Sequence, residues 1–301
     1  MAQKEVKQRI GSVKNVQKIT RAMEMVAAAR LRRSEQRIVA LRPYASAIRR
    51  MTRQAAEAAE NLPNIPVLEE REEVKTVGIL LFTGDRGLAG AFNSQILRAG
   101  VRAAVEHEAE GRQVVFFATG RRGVSSLAFR KRDAAASWTG FTDRPAYADA
   151  RDIAGAVVTA YEDGKIDRLE VFYNAYISPL TQEVTREVLL PLQQATVPEA
   201  EEIREDIESK EGSGHSALTE YEPEPGDILA RLVPAYVEIS IFRGLLESTA
   251  SEHGARMTAM RNASENASDL IKDLTLQLNR ERQAEITQEI MEVVAGAESF
   301  V

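Results

Sequence analysis

The chain has 301 residues, no cysteine and a formal net charge of −6 at pH 7. Without cysteine it forms neither disulfides nor thiolate metal sites, which is typical of a protein in a reducing compartment. It also has no run of about 18 apolar residues, the length that a membrane-spanning helix needs. The first ten residues lack the apolar segment of a secretory signal. We therefore expect a cytosolic location and no direct insertion into a membrane.

The charges are strongly segregated along the chain. Residues 1–60 carry 14 Lys and Arg against 5 Asp and Glu, whereas residues 197–225 carry 2 against 10. A basic arm and an acidic strip on one chain indicate electrostatic matching with partners. Nucleic acid is the obvious partner for a basic arm. However, no aromatic residue precedes Tyr44, so the arm offers no platform for base stacking and we expect no nucleic acid.

Residues 1–61 predict a long N-terminal helix. Its apolar residues recur at steps of three and four, which is helical periodicity. They are Val6, Ile10, Val13, Val16, Ile19, Met23 and Val26. Pro43 is expected to kink or interrupt this helix, because proline removes a backbone donor and clashes with the preceding turn. Two further prolines, Pro63 and Pro66, set its end near Asn61.

Residues 74–196 predict a compact α/β domain, in which short apolar runs are typical of buried parallel strands. The strands are predicted at 74–82, 113–119 and 168–173, with an edge strand over 174–187. The helices are predicted at 92–109, 124–130 and 147–161. Alternating strands and helices of these lengths predict a Rossmann-like open parallel sheet with right-handed crossovers.

Residues 197–225, rich in Glu, Pro, Gly and Ser, predict a flexible acidic linker. Residues 226–301 then predict a second helix, longer than the first. A continuous helix of this length spans roughly 100 Å at 1.5 Å per residue, which a compact domain of this size cannot enclose. We therefore expect the two terminal helices to bracket the α/β domain and to pair as a long antiparallel coiled coil, with the C-terminal helix projecting beyond its partner.

The middle of the C-terminal helix has an unusual composition. Between Ser248 and Ser268 large apolar residues nearly vanish and Ala, Ser and Thr prevail. A coiled coil built for stability carries Leu or Ile at its seam. One interpretation is a weakly packed surface helix; the other is a thin shaft inside a sleeve. Composition alone favours neither.

The best candidate for chemistry is the segment Thr83–Gly90, which follows a predicted strand and leads into a helix. Glycine amides at such a place can bind a phosphate. The glycines Gly84, Gly87 and Gly90 fit neither the dinucleotide fingerprint nor the P-loop, and the segment has no lysine for a phosphate. A tight turn is favoured, with Asp85 and Arg86 as a local pair or docking contact. A nucleotide-binding α/β protein with a helical coiled-coil adaptor is the alternative function.

Other catalytic and metal-binding patterns are missing from the sequence. The three histidines are isolated in different segments, so no Ser–His–Asp set and no metal cluster is predicted. We expect no catalytic residue, no cofactor and no metal. Near the C-terminus, the polar stretch 279–285 interrupts the apolar stripe. There Arg282, Gln283 and Glu289 would surround the helix, either as a solvated face or as hydrogen-bonding groups that contact a partner.

Three stretches in order along the chain resemble the γ subunits of rotary F-type ATP synthases. They are Arg9–Ala29 (RIGSVKNVQKITRAMEMVAAA), Gly84–Asn93 (GDRGLAGAFN) and Ile286–Ser299 (ITQEIMEVVAGAES). The resemblance covers essentially the whole chain. The missing cysteine pair and the missing transit peptide favour a bacterial member.

The resemblance implies a non-catalytic rotor subunit of the central stalk. In this family the coiled coil lies inside a hexamer of alternating α and β subunits, and the α/β domain contacts the ε subunit and the membrane c-ring. Rotation of the c-ring would turn the chain and drive the three catalytic β sites through different conformations. The implied location is the cytoplasmic face of the cell membrane, as a peripheral part of the complex.

The resemblance also implies functional positions. Those linked to β-subunit contact and coupling are Met23, Arg256, Arg282, Gln283, Thr287 and Glu289. Those on the c-ring side are Tyr221 and Glu222. A passive coiled-coil adaptor is a further alternative, and it would not need Arg282 or Gln283 for turnover of the complex.

Overall fold

The computed structural model describes residues 3–58, 66–68, 71, 73–192 and 224–298. Two long helices dominate the molecule. Helix α1 spans Gln3–Ala58, 56 residues, and the C-terminal helix α5 spans Pro225–Glu298, 74 residues. At 1.5 Å per residue these are about 84 Å and about 110 Å long. The predicted acidic linker 197–225 lies almost entirely outside the described residues.

The two helices run antiparallel and pack against each other. Val6 and Ile10 near the start of α1 share an apolar cluster with Leu274 near the end of α5. Further along the pair, Glu24 of α1 accepts a hydrogen bond from the guanidinium of Arg261, at 2.9 Å between Nε and Oε1. The predicted antiparallel coiled coil is therefore confirmed.

Both long helices contain a proline, yet neither is interrupted. Helix α1 continues through Pro43, and α5 continues through Pro234. The interruption considered for Pro43 is therefore absent. The remaining backbone hydrogen bonds and the long packing partner of each helix compensate for the single donor that a proline removes.

The α/β domain between them, called the head below, contains one five-stranded sheet. Its strands are β1 (Thr76–Phe82), β2 (Gln113–Thr119), β3 (Ala134–Trp138), β4 (Arg168–Tyr176) and β5 (Gln182–Leu190). Its helices are α2 (Phe92–Ala109), α3 (Arg121–Phe129) and α4 (Tyr147–Glu162). The strand order is β3-β2-β1-β4-β5, with the first four parallel and the edge strand β5 antiparallel to β4. Only β3 was not predicted, and the edge strand begins later than expected.

Helix α5 belongs to the head as much as to the coiled coil. One face of the sheet is covered by α2 and α3, and the other by α4 and the first part of α5. The side chains that α5 buries there recur every four residues, a helical stripe; they are Leu229, Val233, Val237, Ile241 and Leu245. At about 2 kcal/mol each, their burial contributes about 10 kcal/mol to holding α5 on the sheet.

The far end of α5 extends beyond its partner. Helix α1 begins at Gln3, close to the cluster around Leu274, whereas α5 continues to Glu298. Every residue from 282 to 293 is exposed. This end of α5, residues 282–298, is called the tip below and is about 25 Å long.

Candidate functional site

The carboxyl ends of the parallel strands form the place where open α/β sheets usually bind ligands. The binding crevice lies where the strand order reverses, here at β1 between β2 and β4. In this chain α5 itself occupies that crevice. Ser248 donates from Oγ to the carbonyl of Phe82 at 3.1 Å, and Ser251 donates to the carbonyl of Asn174 at 2.9 Å. Residues 248–256 of α5 and the loop 83–90 against them are called the joint below.

A glycine permits the close approach of helix and loop at the joint. A side chain at Gly84 would place its Cβ 2.7 Å from the carboxylate of Glu252, which is closer than real Cβ contacts allow. On the other side of α5, a Cβ at Gly254 would lie 3.2 Å from the carbonyl of Pro179. The helix is thus confined between two loops of the head.

A buried ion pair lies at the centre of the joint. The carboxylate of Glu252 is 1% exposed and accepts a short hydrogen bond from Nη2 of Arg256, which is 8% exposed. The same guanidinium donates to the carbonyl of Gly87 at 3.3 Å. Burial raises the pKa of Glu252, and the charge of Arg256 offsets part of the rise. Arg256 therefore ties α5 to the loop after β1.

His253 completes this buried group as a neutral imidazole. Its Nδ1 lies 3.2 Å from Nη1 of Arg256 and accepts a hydrogen bond, because a guanidinium can only donate. Burial and the charge of Arg256 lower the pKa of His253 to about 4. At neutral pH the ring of His253 is therefore uncharged.

The loop after β1 is held by the carboxylate of Asp85. This carboxylate accepts hydrogen bonds from the backbone amides of Arg121 at 3.1 Å, Gly140 at 2.8 Å and Thr142 at 3.2 Å. Burial alone would raise the pKa of Asp85, but these amides and the Thr142 hydroxyl lower it below its ordinary value. A carboxylate of the chain itself thus occupies the amide cradle at the start of α3, where a phosphate would have to bind.

Of the two predictions for Asp85 and Arg86, a local pair or a docking contact, the local pair was wrong, and the docking contact stays a prediction. Arg86 instead lies 3.3 Å from Asp143, which also accepts from Arg30 of α1 at 2.8 Å. Asp85 turns away from Arg86 because three converging amides stabilise its charge better than one exposed side chain does. The alternative of a nucleotide site in this loop has no support in this geometry.

Comparison with known proteins identifies the family. A family model described as ATP synthase matches residues 2–300. The ATP synthase gamma chain of Rubrobacter xylanophilus is 41% identical over 297 residues, which cover 99% of this chain and 98% of the relative. The gamma chain of Streptomyces avermitilis is 41% identical over 298 residues, 98% of this chain and 94% of the relative. The chain belongs to the ATP synthase gamma chain family.

Solved structures agree on the fold. The chain superposes on one from the Euglena gracilis mitochondrial ATP synthase (OSCP/F1/c-ring, rotational state 3) with a TM-score of 0.68 at 16% identity, over 99% of this chain and 94% of the other. A chain from the Tetrahymena thermophila mitochondrial ATP synthase (central stalk and c-ring) superposes with a TM-score of 0.59 at 24% identity, over 82% of this chain and 99% of the other. The predicted fold class is confirmed. Family membership likewise confirms the predicted non-catalytic rotor subunit of the central stalk.

The residues singled out from the sequence fall in separate places. Arg256 lies in the joint, and Met23 is half-buried on α1 next to Glu24, about midway along the coiled coil. Arg282, Gln283, Thr287 and Glu289 are all exposed on the tip. There the Thr287 hydroxyl donates to the backbone carbonyl of Gln283 at 2.8 Å. Tyr221 and Glu222 lie outside the described residues.

Sequence reasoning missed most of the joint. The stretch from Ser248 was interpreted as a weakly packed helix or a thin shaft, but Ser248–Gly254 is buried against the head. A signal was present, since Ser248, Ser251 and Glu252 lie at the three- and four-residue steps of one helix face.

No helix in the described part of the chain is long and apolar enough to cross a membrane. Within the same residues, no group of three or more metal-ligating side chains is found.

Proposed function

We propose that this chain turns as one rigid body, which receives rotation at its head and transmits it to partner subunits at its tip. The single observation that carries this proposal is the double role of α5. Its first part is a core helix of the head, and its last part is the longer member of the coiled coil. Any turn of the head therefore turns the shaft, because no linker separates them within α5.

The proposed partners lie at the two ends. The head contacts the c-ring and the ε subunit, and the coiled coil lies within the hexamer of α and β subunits on the cytoplasmic face of the membrane. The solved assemblies support this arrangement, since the Euglena structure comprises OSCP, F1 and the c-ring, and the Tetrahymena structure comprises the central stalk and the c-ring. Tyr221 and Glu222 are assigned to the c-ring side.

The surface of the coiled coil suits a shaft that a partner encloses. Large apolar side chains are exposed along both helices, an arrangement that marks a protein interface. They include Val16, Ile19 and Val26 on α1 and Leu276 on α5, and the exposed apolar surface continues onto the tip at Ile286, Ile290 and Val293. An apolar surface turns within a partner without forming and breaking directional bonds at every angle. Polar groups at a few positions then distinguish one angle from another.

We assign that polar role to the tip. Arg282 and Gln283 are exposed, and in the isolated chain their side chains are available to hydrogen-bond a β-subunit loop in some orientations and not in others. Thr287 and Glu289 lie within two turns of them on the same helix. Met23 is assigned to coupling from within the coiled coil, and Arg256 is assigned to fixing the shaft in the head.

The test compares alanine variants at the tip in a complex reconstituted with α and β subunits. Arg282→Ala and Gln283→Ala remove exposed hydrogen-bonding groups and should lower ATP turnover about 2–10-fold, the equivalent of 0.5–1.5 kcal/mol. Lys272→Ala, an exposed control on the shaft that pairs with Asp269 of the same helix, should leave turnover unchanged. If all three variants retain full turnover and coupling, the chain is a passive adaptor and the proposal fails.

A further inference from the structure

A groove of about 570 Å³ lies between α2 and α3, on the face of the sheet opposite α4 and the first part of α5. Its floor is an apolar stripe at four-residue steps on α2, formed by Leu97, Val101 and Val105. Val105 is 53% exposed, although it is aliphatic and continues the stripe. One end of the groove meets the joint, where Asn93 accepts a hydrogen bond from the amide of Gly84 at 2.8 Å, and the rest of the groove extends away from it along α2 and α3.

Four arginines surround the floor, and no acidic residue of the described chain lines the groove. Arg98 and Arg102 stand on α2, and Arg122 and Arg130 stand on α3. Among the described residues, Arg102 has a long contact to Glu106 at 3.7 Å, while Arg98 and Arg122 form no ion pair. Like charges this close repel one another, so an anionic occupant would be favoured. This feature is called the basic groove below.

The apolar floor selects among anionic occupants. An inorganic phosphate would satisfy the arginines but would leave the valine stripe in water. Phe129, on the same side of α3 as Ser126 and Arg122, is 88% exposed and extends the apolar surface. A peptide that carries both acidic and aliphatic side chains at helical spacing matches the basic groove, in the manner of a helix laid into a groove.

Such a peptide occurs in this chain, in the part that the structure does not describe. Residues 199–211 contain 7 Asp and Glu against 2 Lys and Arg, and Ile203 and Ile207 stand four positions apart among them. This spacing equals that of Val101 and Val105 on the floor. We propose that the basic groove binds the acidic segment 199–211 of the same chain.

The connections are long enough for this contact. The edge of the sheet where β1 and β4 begin is also where β5 ends, since Leu190 pairs with Leu169. Helix α2 ends at the same edge, because Gln113, which follows it closely in the chain, pairs with Thr76. Before the segment, residues 193–198 connect it to residue 192 of the described chain and can extend up to about 20 Å. After the segment, residues 212–223 connect it to residue 224 and can extend up to about 40 Å.

The natural absence of cysteine makes a direct test simple. In the full-length chain, Val105→Cys is combined with Ile203→Cys under mild oxidation, and disulfides are read on a non-reducing gel and by mass spectrometry. We expect a disulfide within one chain. The matched control combines Ile203→Cys with Arg151→Cys, an exposed position on α4 across the sheet, and should give at least about tenfold less product because the groove, not random collision, would bring the cysteines together.

Charge reversal tests the chemistry. Arg98→Glu with Arg122→Glu in the same cysteine background should lower the yield about tenfold, because two attractive contacts become repulsive. Adding Glu201→Lys and Glu205→Lys should restore part of it. Thermal unfolding of the Arg98→Glu, Arg122→Glu chain should match the parent, since both side chains are exposed.

Three results would overturn the proposal. The first is a yield equal to that of the Arg151→Cys control. The second is a disulfide that links two chains, which would assign the basic groove to a second copy. The third concerns the single variant Val105→Cys: if a maleimide labels its thiol fully in the full-length chain and the thiol is protected only in the complex, the groove belongs to another subunit. None of these results bears on rotation, so the proposed function is tested separately.

Discussion

The joint and the tip are two regions of one helix with opposite surroundings. At the joint, α5 is buried between two loops and carries an ion pair that is shielded from water. At the tip, every side chain from 282 to 293 is exposed. The difference separates two roles, since a substitution at the joint should act on the stability of the chain, and one at the tip on contacts with partners.

The largest effect is expected at a glycine beside the joint. Gly120 has a φ of 82°, and a Cβ there would lie 2.2 Å from the carbonyl oxygen of Thr83. The oxygen belongs to the backbone and the position of a Cβ is fixed by the backbone of residue 120, so neither atom can move aside. Gly120→Ala should therefore cost more than about 4 kcal/mol in the free energy of unfolding, or prevent folding.

The control is a glycine with free space around it. A Cβ added at Gly155 on α4 would have no neighbouring atom within 4 Å, so Gly155→Ala should stabilise the chain by about 0.5–1 kcal/mol. Denaturant unfolding of the full chain measures both, and equal effects would contradict the geometry.

The next largest effect is expected from removing a carboxylate at the joint, and the same change at the tip serves as the comparison. Glu252→Ala leaves the guanidinium of Arg256 buried without its carboxylate and should cost about 3–5 kcal/mol. Glu289→Ala at the exposed tip should change the free energy of unfolding by less than about 0.5 kcal/mol. Urea unfolding of the two variants distinguishes them. A small cost at Glu252 would mean that α5 is not anchored through this pair.

A third effect depends on pH. The unfolded chain protonates His253 near pH 6.5, whereas the folded chain does so only near pH 4. The unfolded state therefore binds more protons between these values, and the contribution of this residue to stability is lost as the pH falls from 6.5 to 4. The loss is at most about 3 kcal/mol. His253→Gln should flatten the profile in this window, and an unchanged profile would show that another group causes the slope.

The smallest effect is expected midway between the two regions. Glu24 and Arg261 join α1 to α5 at a half-exposed position beside Met23. A double-mutant cycle on Glu24→Ala and Arg261→Ala should give a coupling free energy of about 0.2–1 kcal/mol. A coupling free energy as large as the cost of about 3–5 kcal/mol expected for Glu252→Ala would show that the coiled coil, and not the joint, fixes α5 in place.

Much of the fold follows from periodicity in the sequence. The predicted bounds of α2 and β2 match the structure, since each has a clear apolar pattern and a turn on either side. Strand β3 was missed because Ala134–Trp138 consists mainly of alanine, which has little preference for strands, and alternates between half-buried and exposed residues.

The joint was harder to predict than the tip. Contacts such as those of Ser251 with Asn174 or Arg256 with Gly87 link residues that are 77 and 169 positions apart, and no local pattern encodes them. The composition near Ser248 indicates close approach of another backbone, but not which one. At the tip, by contrast, the polar stretch 279–285 is visible in the sequence itself and the family resemblance assigns it a role, while the contacts of its residues with partners stay a prediction.

The most direct test of the central claim fixes the α and β subunits of a reconstituted complex to a surface and attaches a visible marker to the head, at Arg151→Cys on α4. If α5 joins head and shaft rigidly, the marker turns in one direction while ATP is hydrolysed. A marker that stays still during sustained hydrolysis would contradict this account.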